Sequence, residues 1–135
     1  MTVAAPSLFL RSPQTIYVYD AVASVVMGTV LVAGASFVAG LVGWPDAAAF
    51  LLPIGAFLLA WALFNYAIGS AGAPARNAVN INITIDGAWV ALSAILLIVY
   101  WQQLNTLGHI LLAGQMLFVA TVFTIKLRGA SDLRI

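Results

Sequence analysis

The sequence predicts an all-α membrane protein built as a bundle of four transmembrane helices. Of its 135 residues, 64% are apolar and 7% are charged, and the mean hydropathy is +1.09. Soluble domains are about 45–50% apolar and about 25% charged, so these few charges are too sparse to cover a surface in water. Long uncharged segments separate the charged residues. If these segments span a membrane, all five basic residues lie on the same side of it.

The uncharged segments locate the helices, because a charge at the centre of a bilayer is costly. Residues 21–45 and 47–75 each have room for one helix of the about 20 residues that span a hydrocarbon core. Residues 87–125 are too many for one helix, and the segment 101–108 collects the amides, threonine and glycine typical of a turn. One domain, residues 1–135, is therefore predicted to contain spans at about 17–41, 47–69, 82–101 and 108–127.

The basic residues predict the orientation. Lys and Arg accumulate in cytoplasmic segments of membrane proteins. With four spans, all five basic residues fall on one side, and the turns after spans 1 and 3 contain none. Both termini are therefore predicted to face the cytoplasm. The basic residues are Arg11, Arg76, Lys126, Arg128 and Arg134.

The connections predict an up-down-up-down bundle. The turn after span 1 is short, so spans 1 and 2 are expected to be antiparallel neighbours. Asp46 ends this turn and is predicted to be the N-cap of span 2. Before span 1, the apolar segment 8–10 is predicted to lie at the membrane interface.

Span 1 carries small residues at a helical spacing. They recur on one face of the helix, where small side chains allow a second helix to approach closely in lipid. Two interpretations follow: the face packs against span 2 or span 4 of the same chain, or it forms a dimer interface. The residues are Ser24, Gly28, Ser36 and Gly40.

Span 3 carries the clearest polar pattern. Asn82, Asp86, Trp89 and Ser93 lie at positions i, i+4, i+7 and i+11, which is one stripe of a helix. The residues before this stripe alternate between polar and apolar. An irregular start is therefore predicted for the span, with Asn80 or Asn82 as its cap.

Asp86 and Asp20 are predicted to lie about one turn inside the cytoplasmic ends of their spans. Two interpretations are open. Near a helix N-terminus a carboxylate is stabilised by the macrodipole, and it can also pair with a base on the same side. Alternatively, an ionisable residue inside a membrane indicates a ligand or proton site. The bases on that side are Arg11, Arg76 and Lys126.

Asn65 of span 2 and Gln115 of span 4 are amides placed deeper in the bundle. Each is expected to hydrogen-bond a neighbouring helix. Together with the stripe of span 3 they form the candidate ligand site, which Trp61 and Tyr66 flank.

The inventory of chemical groups disfavours an enzyme. The chain has no cysteine and no glutamate, and His109 is its single histidine, so neither a catalytic triad nor a metal site is expected. No phosphate-binding or hydrolase motif is present. A net charge of +1 gives no basis for binding nucleic acid. No cofactor is predicted.

The second half of the chain resembles a broad group of small bacterial four-helix membrane proteins that are similar to DoxX. Some members of that group accompany quinone-linked redox enzymes, so the resemblance implies a larger membrane complex as a partner. It implies no catalytic residue. The residues that carry the resemblance are the run 41–46, Asn82, Asp86, Trp89, Ser93, the run 106–108, Gln115, Phe123 and the run 126–128.

Two classes of function follow from these observations. The first is a non-catalytic subunit or scaffold of the bacterial inner membrane, which packs with itself or with a larger complex. The alternative is an intramembrane binding protein for a quinone-like or lipid-like molecule, or an oligomeric transporter, that uses the polar face of span 3.

The predicted orientation is testable with topology reporters. A reporter fused after Ile135 or inserted near Ala75 should report the cytoplasm, and one inserted at Asn105 should report the outside, because the charge distribution places these sites on opposite sides. A cytoplasmic signal at Asn105 would contradict the four-span topology.

Overall fold

The computed structural model describes residues 12–133 and confirms the predicted fold class, an all-α bundle of four long helices. All four are long and apolar enough to cross a membrane. Arg11, Arg134 and the segment 8–10 lie outside the described residues. The helices are α1 (Thr15–Leu41), α2 (Ala48–Ser70), α3 (Arg76–Val99) and α4 (Thr106–Leu133), and a short 3-10 helix (Pro45–Ala47) precedes α2.

The helices form two hairpins. The α1–α2 pair is packed along its length, and α3 packs extensively on α4. By contrast, α2 barely contacts α3, and α1 has few contacts with α4. The bundle is therefore two hairpins with few close backbone contacts between them. Near the termini they meet through a buried apolar cluster with side chains from all four helices, among them Tyr17, Ile68, Val79 and Val122.

The hairpins are joined at the end that carries the α1–α2 and α3–α4 loops. The backbone N–H of Asn105 donates to the Val42 carbonyl at 2.9 Å, and its side-chain amide donates to the Leu41 carbonyl at 3.0 Å. The Asn105 Oδ1 accepts from the Gly108 N–H at 2.8 Å, as an N-cap of α4 does. Gly43, with φ +82°, provides the left-handed turn that brings this loop against Asn105.

At the opposite end, the first hairpin closes through Gln14. Its side-chain Nε2 donates to the carbonyls of Ile68 and Ala71, both at 2.8 Å. These groups lie at the C-terminal end of α2, where helix carbonyls lack partners within the helix. The start of α1 is thereby fixed beside the end of α2.

Two glycines let α1 and α2 approach closely. A Cβ added to Gly28 would lie 2.9 Å from the Gly55 carbonyl oxygen, and one added to Gly55 would lie 2.8 Å from the Cβ of Leu31. No larger residue fits at this crossing without moving a backbone. In lipid, such close approach is a main source of helix association.

The small-residue row of α1 is divided between two environments. Ser24 is buried, and Gly28 lies at the α2 crossing. Gly34 has non-helical dihedral angles and interrupts the helix. Beyond it Ser36 is exposed, and a Cβ on Gly40 would meet nothing within 4 Å.

The expected start of span 3 is wrong. The helix begins at Arg76, after Ala75 and with no side-chain cap, so neither Asn80 nor Asn82 is its N-cap. The alternating residues are helical because Val79, Asn82, Ile83 and Asp86 are buried at i, i+3, i+4 and i+7. Asp86 consequently lies about 15 Å from the start of α3, nearly three turns inside rather than one.

Two further expectations are corrected. Asp46 does not cap α2, because it lies within the 3-10 helix. The residue at the N-cap position of α2 is Ala47, and no side chain makes a capping hydrogen bond there. The helix α4 continues to Leu133, six residues beyond the predicted end of span 4. Lys126 lies within this helix and is 1% exposed, so it is not one of the exposed basic residues that follow the span.

The glycine crossing predicts a stability difference between two matched substitutions. Gly28→Leu should lower the free energy of unfolding by about 1–3 kcal/mol, because it overpacks the α1–α2 contact. Gly40→Leu adds the same side chain to α1 in open space and should leave the melting temperature near the wild-type value. Equal melting temperatures for both variants in the same detergent would contradict this packing.

Candidate functional site

The buried Lys126 of α4 contacts polar side chains from each of the other three helices. The Lys126 Nζ lies 2.6 Å from Oδ2 of Asp20 and 2.6 Å from Oδ2 of Asp86. It also donates to Oδ1 of Asn65 at 2.9 Å and to Oδ1 of Asn82 at 2.7 Å. All five residues are buried, so the three N–H groups of the ammonium meet four oxygens in the interior of the bundle. We call these five residues the lysine cluster.

Hydrogen bonds around the cluster hold its acceptors in place. The Asn65 Nδ2 donates to the Trp61 carbonyl at 3.0 Å, and the Asn82 Nδ2 donates to Oδ1 of Asn65 at 3.2 Å. Both amides therefore turn their oxygens toward Lys126. The Ser24 hydroxyl donates to Oδ1 of Asp20 at 3.2 Å.

Two aromatic rings complete the surroundings of the ammonium. The Lys126 Nζ lies 4.8 Å from the centre of the Tyr17 ring and 5.7 Å from the centre of the Trp61 ring. These distances fall within the range of cation–π attraction, which strengthens where water is excluded. The rings also cover the cluster with apolar surface.

The charges of the lysine cluster do not balance. One ammonium faces two carboxylates, so the cluster has a formal charge of −1 when both are ionised. Charges buried in a low-dielectric interior are costly unless they are paired and fully hydrogen-bonded. Both oxygens of Asp20 are engaged, whereas Oδ1 of Asp86 accepts no hydrogen bond from any of residues 12–133.

A large, half-open cavity lies between the two hairpins and borders the cluster. Its volume is about 890 Å³, and residues of all four helices line it. Asp20, Ser24 and Asp86 border it at the end near the termini, and Trp44 and Tyr100 border it near the loops. Almost all of the remaining lining is apolar. The cavity is thus an apolar chamber with a charged floor.

A second polar group lies on the wall of the cavity. The Trp89 Nε1 donates to Oε1 of Gln115 at 2.8 Å, and the Gln115 Nε2 donates to the Ser93 hydroxyl at 3.0 Å and to the Leu112 carbonyl at 3.1 Å. These contacts join α3 to α4 and occupy the amide of Gln115. The Ser93 hydroxyl hydrogen has no acceptor among the described residues.

Stacked aromatic rings form one wall of the chamber. The Phe57 ring lies 5.8 Å from that of Trp61 at an angle of 19°, and 6.1 Å from that of Trp89 at an angle of 11°. Near the loops, Trp44 stacks on Tyr100 at 4.5 Å and thereby links the two hairpins. All five rings line the cavity.

His109 lies at the loop end, away from the cluster. Its ring stacks on Trp101 with the centres 3.6 Å apart, and its Nε2 lies 2.9 Å from the Trp101 carbonyl oxygen. Within residues 12–133, no three His, Cys, Asp or Glu side chains group in a way that could hold a metal ion.

The residues of the candidate ligand site fall into two groups. Asn65, Asn82 and Asp86 belong to the lysine cluster, and Trp89, Ser93 and Gln115 form the polar group on the wall. Tyr66, expected beside the site, does not line the cavity. Of the bases proposed as partners of the aspartates, Lys126 binds both, and Arg76 is exposed without an ion pair in the described part.

Sequence reasoning missed the central position of Lys126 and its joint binding of both aspartates. The signal was present as a spacing. Gln115, Val119, Val122 and Lys126 lie at i, i+4, i+7 and i+11, which repeats the stripe of α3 on α4. The prediction that Lys126 is a cytoplasmic charge overlooks that it lies on the same face of α4 as Gln115.

No family model, no curated protein and no solved structure matches this chain. The resemblance to DoxX-like proteins therefore stays a prediction. The fold and the site define a four-helix protein of membrane-spanning character with a charged cluster inside it, and the functional argument rests on their geometry alone.

The charge imbalance predicts that two substitutions in the cluster differ strongly in how much stability they cost. Lys126→Met leaves two carboxylates without a counter-ion and should cost about 3–5 kcal/mol of stability, as breaking a buried pair does. Asp86→Asn leaves Lys126 paired one-to-one with Asp20 and should cost less than about 1.5 kcal/mol, the scale of one hydrogen bond. Thermal unfolding of both variants in one detergent tests this order, and the reverse order would contradict it.

Proposed function

We propose that this protein binds a small, largely apolar molecule within the membrane, in the cavity between its two hairpins. The observation that carries the proposal is the cavity itself: about 890 Å³ of mostly apolar space inside a chain of only 135 residues. Ligand pockets typically measure about 300–1,000 Å³ and combine apolar walls with a few polar groups that fix orientation.

Access from the lipid phase supports this role. The helices that face each other across the cavity, α2 with α3 and α1 with α4, make few contacts. Several residues that line the cavity are also exposed large hydrophobics, among them Met27, Phe57, Leu92 and Phe118, one from each helix. A molecule dissolved in the bilayer can enter sideways between the hairpins without crossing water.

Two polar groups are placed to orient such a molecule. Ser93 offers a hydroxyl hydrogen on the wall, and Asp86 offers a carboxylate oxygen on the floor. They are seven residues apart on α3, which corresponds to about 10 Å along the helix. Polar atoms of a ligand at that separation would meet both while the ligand's apolar body fills the chamber.

We further propose that the protein resides in a bacterial cytoplasmic membrane with both termini in the cytoplasm. The exposed bases Arg76 and Arg128 support this orientation, because they lie toward the same end of the antiparallel bundle. The lysine cluster lies nearer that end than the loop end, since Asp20 is in the second turn of α1.

The role of subunit or scaffold stays a prediction, as does transport by an oligomer. Within the described residues, Ser36 and Gly40 are the members of the small-residue row left on the outer surface of α1. A partner helix, whether of a second copy or of a larger complex, would find this short row free. Cavity binding and such an assembly are compatible, since they use different surfaces.

Filling the cavity tests the proposed function. Gly114 lines it, and a Cβ there would meet nothing within 4 Å, so Gly114→Phe should project a ring into the chamber. Protein released from native membranes should retain a small molecule in native mass spectrometry, and this variant should lose it. Gly40→Phe is the matched control, because Gly40 is equally open but does not line the cavity.

Two results would contradict the proposal. Wild-type protein that retains no small molecule under conditions that preserve the fold would remove its basis. Equal retention by the Gly114→Phe and Gly40→Phe variants would place any retained molecule outside the cavity.

A further inference from the structure

We infer that the cavity accepts a lipophilic monocation, an organic cation with an apolar body, and that the free oxygen of Asp86 binds its positive charge. This inference deepens the proposed function and rests on it. It is carried by three features of the described residues: the formal charge of the cluster, the free oxygen of Asp86 and the aromatic wall beside it.

The formal charge sets the sign and the number of charges on the ligand. Asp20 and Asp86 contribute −2, and Lys126 contributes +1. No second base from residues 12–133 reaches the cluster, since Arg76 and Arg128 are exposed and make no ion pair there. One added positive charge makes the buried group neutral, which removes the desolvation cost of an uncompensated charge.

The hydrogen bonds assign the position. Both oxygens of Asp20 already have a donor, because Oδ1 accepts from Ser24 and Oδ2 accepts from Lys126. Asp86 uses only Oδ2 for Lys126, and its Oδ1 has no donor among the described residues. The side chain is 3% exposed and borders the cavity. A cationic group in the chamber therefore meets one open carboxylate oxygen, at Asp86.

The wall next to this oxygen also suits a cation. Trp61, Phe57 and Trp89 stack in sequence and line the chamber. The faces of aromatic rings attract cations, and aromatic surroundings are the usual binding sites of organic ammonium groups. The ring of Trp61 is already 5.7 Å from the Lys126 ammonium, so the wall tolerates positive charge.

The apolar remainder of the cavity decides between an organic and an inorganic cation. An inorganic ion would exchange its hydration shell for one free carboxylate oxygen, and a small ion in apolar space is heavily penalised. An organic cation spreads its charge over a larger surface and buries apolar groups against the walls. The lining residues of all four helices supply that surface.

The experiment compares two ions of the same shape and opposite charge. Tetraphenylphosphonium and tetraphenylborate are titrated by calorimetry into purified wild-type protein and into the Asp86→Asn and Asp46→Asn variants. Wild type and Asp46→Asn, whose altered residue is exposed, does not line the cavity and lies at the loop end away from the cluster, should bind the phosphonium. Asp86→Asn should bind it at least about tenfold more weakly, a factor that corresponds to 1.4 kcal/mol. No protein should bind the borate with comparable affinity.

The outcomes separate this inference from the proposed function. Wild type could fail to bind the phosphonium and still retain a neutral molecule that the Gly114→Phe variant loses. That result would overturn the inference that the ligand is a cation and would leave the proposed binding function intact. Binding of both ions alike, or unchanged phosphonium binding by Asp86→Asn, would also overturn it. Should Asp86→Asn not fold, Gly114→Phe provides the test with an intact cluster: it should abolish phosphonium binding, and binding at wild-type strength would overturn the inference.

Discussion

The buried ammonium of Lys126 is the constraint on which the rest of the structure depends. An isolated charge in a low-dielectric interior is costly, and it persists only where acceptors surround it. Here α1, α2 and α3 each direct at least one oxygen to the Nζ, so the positions of three helices are fixed relative to the fourth. Elsewhere the two hairpins meet through a buried apolar cluster near the termini, to which all four helices contribute, and through the stacked rings of Phe57 and Trp89.

The cavity follows from this pattern of contacts. Small residues bring α1 and α2 together at Gly28 and Gly55, so the first hairpin is narrow. Between the hairpins stand the large rings of Phe57, Trp61 and Trp89, and the polar contacts hold the hairpins at both ends. A bundle joined at its two ends and separated by bulky side chains keeps space in the middle. The same set of contacts therefore explains both the close packing within the hairpins and the space between them.

The features that depend on local composition were predictable from the sequence. Uncharged segments and a polar turn were sufficient for the four helices, because the bilayer requirement for about 20 apolar residues is strong and local. The depth of Asp86 was not predicted. The residues before it alternate between polar and apolar, which is also typical of an irregular segment, and only burial in the folded bundle selects the helical period. The partner of Asp86 and Asp20 was only partly accessible. The spacing of Gln115 and Lys126 places both on one face of α4, but three possible bases lay on the same side, and spacing within one helix does not rank pairs between distant helices.

Stability and binding involve the same charges in this arrangement. A cluster with equal numbers of acids and bases would be complete in itself and would present nothing to the cavity. The second carboxylate leaves one oxygen without a donor among residues 12–133 at the floor of an apolar chamber, which is the position that the proposed ligand would occupy. A buried carboxylate without a full set of donors costs stability, and an ionisable residue inside a membrane is by default a candidate functional residue. The imbalance at Asp86 is thus the physical basis of the proposed ligand site.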